Sequence, residues 1–184
     1  EDKNKVKYVA EYMMRDGIKF KNKDVQDIVT LTLNLDDMVQ LLQRYPAMTA
    51  SVRLQAGLLL RSTKELWVTL LTVATVALKR RKGNDTSMDW KARANEWYTT
   101  ITDELEMDGC WKEKPLMDGK ELMKELGLDK GPEVGIYNQE QLHWMLMNPK
   151  GTLRECITFL KTFQKEREFE EDQAAQHISK KMHL

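Results

Sequence analysis

Apolar residues in this chain recur at intervals of three and four far more than in alternation, and that spacing predicts helices along its length. Val6, Val9, Ala10 and Met13 form an i, i+3, i+4, i+7 stripe that Gly17 ends. Val25, Ile28, Val29 and Thr32 or Leu33 form a second. Met38, Leu41 and Leu42 follow, up to Tyr45-Pro46, because a residue before proline avoids the helical region. Asp36 and Asp37 are expected at the start of that segment, where carboxylates complement the helix dipole. Residues 52–60 are apolar enough to form another buried helix. Ser62, Thr63, Lys64 and Glu65 match a capping box that would open a long hydrophobic helix reaching residue 81 or so. Residues 89–106 follow as a helix with Trp90, Ala94, Trp97 and Ile101 on one face. The pattern predicts an all-α fold.

The stretch 115–152 is punctuated differently: it holds three of the four prolines and five of the nine glycines. Asp118-Gly-Lys-Glu121 is a helix start and Gly127 a stop. Pro132 suits the first position of the next helix, where its missing N–H is harmless. Asn148-Pro149 closes that helix, and Thr152 with Glu155 opens the last one, which carries Cys156, Ile157, Leu160 and Phe163. Beyond Phe163 the chain turns polar and is expected to be an exposed or frayed helix end. The expected architecture is a multi-helix body over 1–110, a smaller helical tail over 111–165 containing a glycine-bounded helix hairpin, and a polar extension over 166–184.

Composition removes several classes of function. Basic and acidic residues balance at 29 each, although residues 1–100 hold 17 against 12 and the remainder 12 against 17. That split fits either a mildly polarised surface or ordinary sampling. Cys110 and Cys156 lie far apart, with no Cys or His at ligand spacing, which fits free thiols in an intracellular protein. The most apolar run, 66–78, has 13 residues, short of the ~20 that span a bilayer, so no membrane partner is expected. The chain begins with Glu1 and no signal peptide, which fits either a fragment or a processed chain. The compartment stays open between cytoplasm, nucleus and mitochondrion, and so does the oligomeric state, since no heptad run occurs.

Catalytic and metal residues are expected to be none. Asp103, Glu104, Glu106 and Asp108 cluster, but Glu104 and Glu106 point ~200° apart on a helix and share a metal poorly. A solvated helix end explains the cluster. His143, between Leu142 and Trp144, fits a core or boundary histidine, and His177 and His183 lie in the polar tail. No Walker loop, GxGxxG or GxSxG occurs. Asn84 opens a formal glycosylation acceptor that an intracellular chain would not use. The five tryptophans mostly fall on apolar stripes and belong to the core. Trp111 alone, in a Gly/Lys loop, could be core or stacking platform.

Phosphate-binding geometry does rise above this background. Gly127 can supply a left-handed helix stop, Gly131 permits close backbone approach, and a helix starting at Pro132 points free amides outward past Gly135. Lys130 adds a cation there. A plain αα-corner explains the same glycines equally well. Lys79, Arg80, Arg81 and Lys82 end a helix, where cations are favourable without any ligand, yet four in a row exceed what capping needs. The candidate phosphate-contacting residues, which the resemblance drawn next would make RNA-binding, are Lys79, Arg80, Arg81, Lys82, Lys130, Gly131 and Gly135.

One family carries this pattern. Gly119, Glu121, Leu122, Leu126, Leu128, Gly131, Pro132, Val134 and Gly135 stand in a G-x-E-L-x-x-x-L-x-L-x-x-G-P-x-V-G order, and Trp144, Leu146, Asn148, Pro149, Gly151 and Thr152 continue it. These segments, with 9–24 and 58–67 upstream, resemble the C-terminal body and tail of class II CCA-adding tRNA nucleotidyltransferases, the fungal members above all. The resemblance implies an intact enzyme that adds CCA to tRNA 3′ ends with CTP, ATP and magnesium. Its catalytic head and neck have no counterpart here, so this chain would be inactive alone. The part that matches would hold the acceptor–TΨC arm of tRNA. Two other readings remain: an all-α protein-interaction module, and a helix-hairpin clamp on nucleic acid unrelated to tRNA maturation.

Overall fold

The computed structural model describes residues 3–82 and 87–182, with side chains for 4–81, 87–170 and 173. All regular structure among them is helical. The chain divides into two compact units, Glu1–Glu113 and Lys114–Leu184.

The first unit holds α1 (Lys3–Tyr12), α2 (Asn22–Arg44), α3 (Ala50–Thr63), α4 (Trp67–Lys82) and α5 (Trp90–Thr99). α2 is the hub, packing against α1, α3 and α4. It is one uninterrupted helix rather than the two segments that the apolar stripes implied. No glycine or proline breaks it, and the Thr32 hydroxyl and Asn34 amide donate to carbonyls four residues back. Asp36 and Asp37 therefore lie within the helix, not at its start. Leu42, Leu60, Leu70, Leu78, Trp97 and Ile101 are among the fully buried side chains. Trp67 packs edge-on against Trp97 at 5.9 Å and stacks on Tyr98 at 5.4 Å. Arg93 donates to the last carbonyls of α2, those of Leu42 and Gln43. Arg61 holds the loop carbonyl of Cys110 in the same manner.

Two expectations fail in this unit. Ser62 does not cap α4: its hydroxyl donates to Leu59 O and Asn34 Oδ1, inside the last turn of α3. The chain reverses at Lys64, whose φ is +49°, and a 3₁₀ turn Lys64–Leu66 leads into α4. The Val6 stripe is not a buried face either, since Val9 and Met13 are exposed, as are Tyr8 and Tyr12. The helix predicted over 89–106 is present, as α5 capped by Asp89 and continued without a break by a π turn, Thr100–Glu104.

The second unit holds α6 (Gly119–Leu126), α7 (Glu133–Met147) and α8 (Leu153–Met182). Its core is Met117, Leu122, Leu126, Tyr137, Trp144, Cys156 and Leu160, with Leu128 and Phe163 packed against it. Two capping boxes fix the helix starts. Asp118 accepts from the amides of Lys120 and Glu121 while Glu121 reaches back to the Asp118 amide. Thr152 and Glu155 do the same for α8. These backbone bonds hold the Asp118 and Glu155 carboxylates below their ordinary range, so their stabilisation is present at neutral pH and fades as pH falls. α8 continues through the polar extension as one 30-residue helix. Arg167, within that extension, lies over the Tyr137 ring at 5.9 Å and 3.8 Å from the Glu133 carboxylate.

With the boundary after Glu113, the first unit holds 18 basic and 17 acidic residues, which leaves 11 and 12 for the second. Each unit is close to neutral, because the acidic 103–108 cluster belongs with the basic first hundred residues.

Gly151 sits against the buried Trp144 ring, where an added Cβ would stand 2.2 Å from an indole carbon. Gly151→Ala is expected to destabilise the second unit by about 1–3 kcal/mol through overpacking, read as a lower urea midpoint. Both cysteines are buried, and burial pushes each thiol up to about 11. Both thiols should react slowly with Ellman's reagent at pH 8 in the native protein and fast in denaturant. Rapid native labelling would contradict this packing.

Candidate nucleic-acid interface

The hairpin between α6 and α7 forms from local rules. Gly127 adopts φ +65°, and the amides of Gly127 and Leu128 both reach back to Met123 O. That wrap, with Leu128 against the core, is the usual glycine helix stop. Pro132 then takes helical angles one residue before α7 begins. Lys130, Gly131 and Gly135 are all exposed along this edge. The Gly135 amide donates to Pro132 O at 3.0 Å, so Gly135 offers bare backbone surface, not the free donor expected from sequence.

The other expected residues belong to the first unit, at the end of α4. Lys79, Arg80 and Arg81 are exposed; the Lys82 side chain lies outside the described residues, as does Asn84. Arg81 meets Asp36 of α2 at 3.2 Å, both side chains mostly in solvent, where such a pair contributes little and can exchange for a phosphate. Lys79 stands on the rim of a groove of about 700 Å³ built from α4 and α5, with Leu71, Trp90 and Ala94 in its walls. The seven expected residues thus form two groups, one on each unit.

Gln141 went unnoticed in the sequence. It is fully buried on α7, where its Oε1 accepts from the Met117 amide at 2.9 Å and its Nε2 donates to Met117 O at 3.0 Å. Nε2 also donates to Asn138 Oδ1. The clasp pins the loop that leads into α6 against α7. Beside it lies a surface cleft of about 390 Å³, lined in part by Lys114, Asp118, Gly119, Gly135 and Asn138. A glutamine on the face shared by Tyr137 and Trp144, at spacings of four and three, was the available sign of a structural polar contact.

Three of the remaining candidates, Asp108, Trp111 and His143, have structural partners. Asp108 accepts the Trp67 indole N–H at 3.0 Å, while Asp103, Glu104 and Glu106 are exposed. Trp111 donates to Glu65 at 3.2 Å with Lys112 over its ring, which occupies it as a stacking platform. His143 is half-buried beside Glu140 at 3.3 Å. His177 and His183 have no described side chains. Among the described residues no group of three or more His, Cys, Asp or Glu is placed to hold a metal, and no helix is long and apolar enough to cross a membrane.

This all-α chain is similar in sequence to a class of RNA-maturing enzymes: its curated relatives are CCA tRNA nucleotidyltransferases. The mitochondrial enzyme of Saccharomyces cerevisiae is 27% identical over 161 residues, 86% of this chain and 29% of its own length. The mitochondrial enzyme of Candida glabrata is 25% identical over 84% of this chain and 29% of its own. The tRNA nucleotidyltransferase cca1 of Schizosaccharomyces pombe is 19% identical over 86% of this chain and 32% of its own. The chain thus spans under a third of the length of these relatives. No protein-family profile matches it, and no solved structure does.

Gln141→Leu would orphan the buried Met117 N–H and C=O. It is expected to destabilise the second unit by about 1–3 kcal/mol per orphaned group and to speed hydrogen exchange at the Met117 amide. Unchanged exchange there would show that the clasp does not hold the loop.

Proposed function

We propose that this chain is the C-terminal, tRNA-holding part of a CCA-adding tRNA nucleotidyltransferase, whose chemistry resides outside these 184 residues. One observation carries the reading: similarity to those enzymes over more than four-fifths of this chain and under a third of theirs. The whole enzyme would use CTP, ATP and magnesium at a head and neck that this chain lacks. What remains here would grip the acceptor–TΨC arm.

The physical task suits the surfaces described. A-form RNA conceals its major-groove base edges, so a protein serving many tRNAs recognises shape, phosphates and 2′-hydroxyls. Lys79, Arg80, Arg81 and Lys82 supply cations at one place, and Lys130 with the bare backbone of Gly131 supplies a second. Neither group needs base contacts. Near-neutral units favour a grip built from these local clusters over long-range attraction.

The test is a binding titration of the 184-residue chain against a tRNA transcript and a duplex DNA across salt concentrations. Affinity should fall with salt, with a log–log slope of about −0.8 per phosphate engaged. Arg80→Glu with Arg81→Glu should weaken tRNA binding and flatten that slope by about 2, with helicity unchanged by circular dichroism. Binding that ignores salt, or survives the double reversal intact, would refute the phosphate grip.

A further inference from the structure

We propose that the cleft where α6 and α7 begin reads the ribose 2′-hydroxyl of a bound RNA strand, an inference that rests on the tRNA-holding reading above. The first ground is a glycine that the fold does not need. Gly127 is required by its φ of +65°, and Gly151 by the Trp144 ring. Gly135, the third residue of α7, has no left-handed φ, and a Cβ there would meet nothing within 4 Å. Glycine is among the poorest residues inside a helix, and the open space at Gly135 would accept an alanine. Gly119, across the same cleft, would place a Cβ 3.5 Å from Val134, an ordinary contact. Bare backbone on both sides of an open cleft is what close approach of another backbone requires.

The second ground is the pairing of polar groups in the cleft. Asp118 spends Oδ1 on the amides of Lys120 and Glu121, and neither of those bonds uses Oδ2. Asn138 spends Oδ1 on Gln141, so what its side chain has left to offer is the N–H of its amide. The cleft therefore presents a carboxylate acceptor and an amide donor together with Lys114. A phosphate is a poor occupant beside a carboxylate. A hydroxyl fits both, donating to Asp118 and accepting from Asn138, while Lys114 faces the adjoining phosphate. The 2′-hydroxyl has that dual character and distinguishes RNA from DNA. The Gln141 clasp on Met117 holds Asp118 in place, since the two are adjacent in the chain.

The experiment is a fluorescence-anisotropy titration of the full chain at fixed salt, using an RNA hairpin with the stem of a tRNA acceptor arm and its all-deoxy counterpart. The wild-type chain should prefer the RNA. Gly135→Ala should reduce RNA affinity about tenfold, leave DNA affinity unchanged, and raise the melting temperature, since alanine is the better helix former. Gly119→Ala is the second variant and should show the same selective loss. Equal wild-type affinity for RNA and DNA would overturn the inference. So would Gly135→Ala binding RNA as tightly as wild type, or losing RNA and DNA alike, while tRNA binding by the wild type would leave the broader reading standing. A wild-type chain that binds neither would bring down both.

Discussion

The second unit depends on one polar contact inside an apolar core. Gln141 has no exposed surface, and its amide makes paired hydrogen bonds to the N–H and C=O of Met117, much as a neighbouring strand would. A buried primary amide is tolerated only when its donors and acceptor are matched, and here the match is to backbone groups that a loop would otherwise leave unpaired. The contact decides where α6 starts, because Asp118, the residue that caps it, follows Met117 directly. From that start come the position of Leu122 and Leu126 in the core and the cleft in which Asp118, Gly119 and Gly135 meet. Replacing the glutamine with a hydrophobe of equal size would preserve volume and lose the geometry.

Legibility in the sequence tracked the range of the interaction. The caps at Asp118 and Thr152 and the stop at Gly127 are settled within four residues, and each was readable because its partners are sequence neighbours. The same grammar misled at Ser62, where spacing fits a capping box but the hydroxyl turns to Leu59 and to Asn34 of another helix. Periodicity identified α1 as amphipathic, but could not say that its Tyr8, Val9, Tyr12 and Met13 face solvent in this chain. It also divided α2 at Asp36, because polar residues in an unbroken helix look like a boundary when only the apolar stripe is followed. Gln141 and the Asp108–Trp67 contact escaped notice because their partners lie 24 and 41 residues away.

Charge shows the same division between local and distant. Several basic side chains of the first unit are committed to the fold: Arg93 closes the carbonyl end of α2, and Arg61 ties down a loop carbonyl. These positions would add to any net-charge argument without being available to a ligand. Lys79, Arg80 and Arg81 at the end of α4 differ in being exposed, and Arg81 is paired with a solvent-facing aspartate. A helix C-terminus attracts cations by its own dipole, so their presence alone is weak ground for a ligand. Their number, and the similarity to CCA tRNA nucleotidyltransferases, are the grounds on which the proposed phosphate grip rests.

The glycines permit a sharper separation of folding from function than the charges do. Gly109 and Gly127 occupy left-handed backbone, and Gly151 has no room for a side chain. Substitution at any of them acts first on stability, and a loss of function there would be uninformative. Gly131 and Gly135 have ordinary φ and open space above them. In Gly135 the chain carries a residue that weakens its own helix at a position where alanine would fit. Relaxed selection could leave such a residue on any surface. Its position beside a second glycine, a capped carboxylate and an amide whose oxygen is already engaged is the ground for the proposed link to a ligand in that cleft. If a strand does enter, a substitution there would move stability and affinity in opposite directions, a signature that a purely structural glycine cannot give.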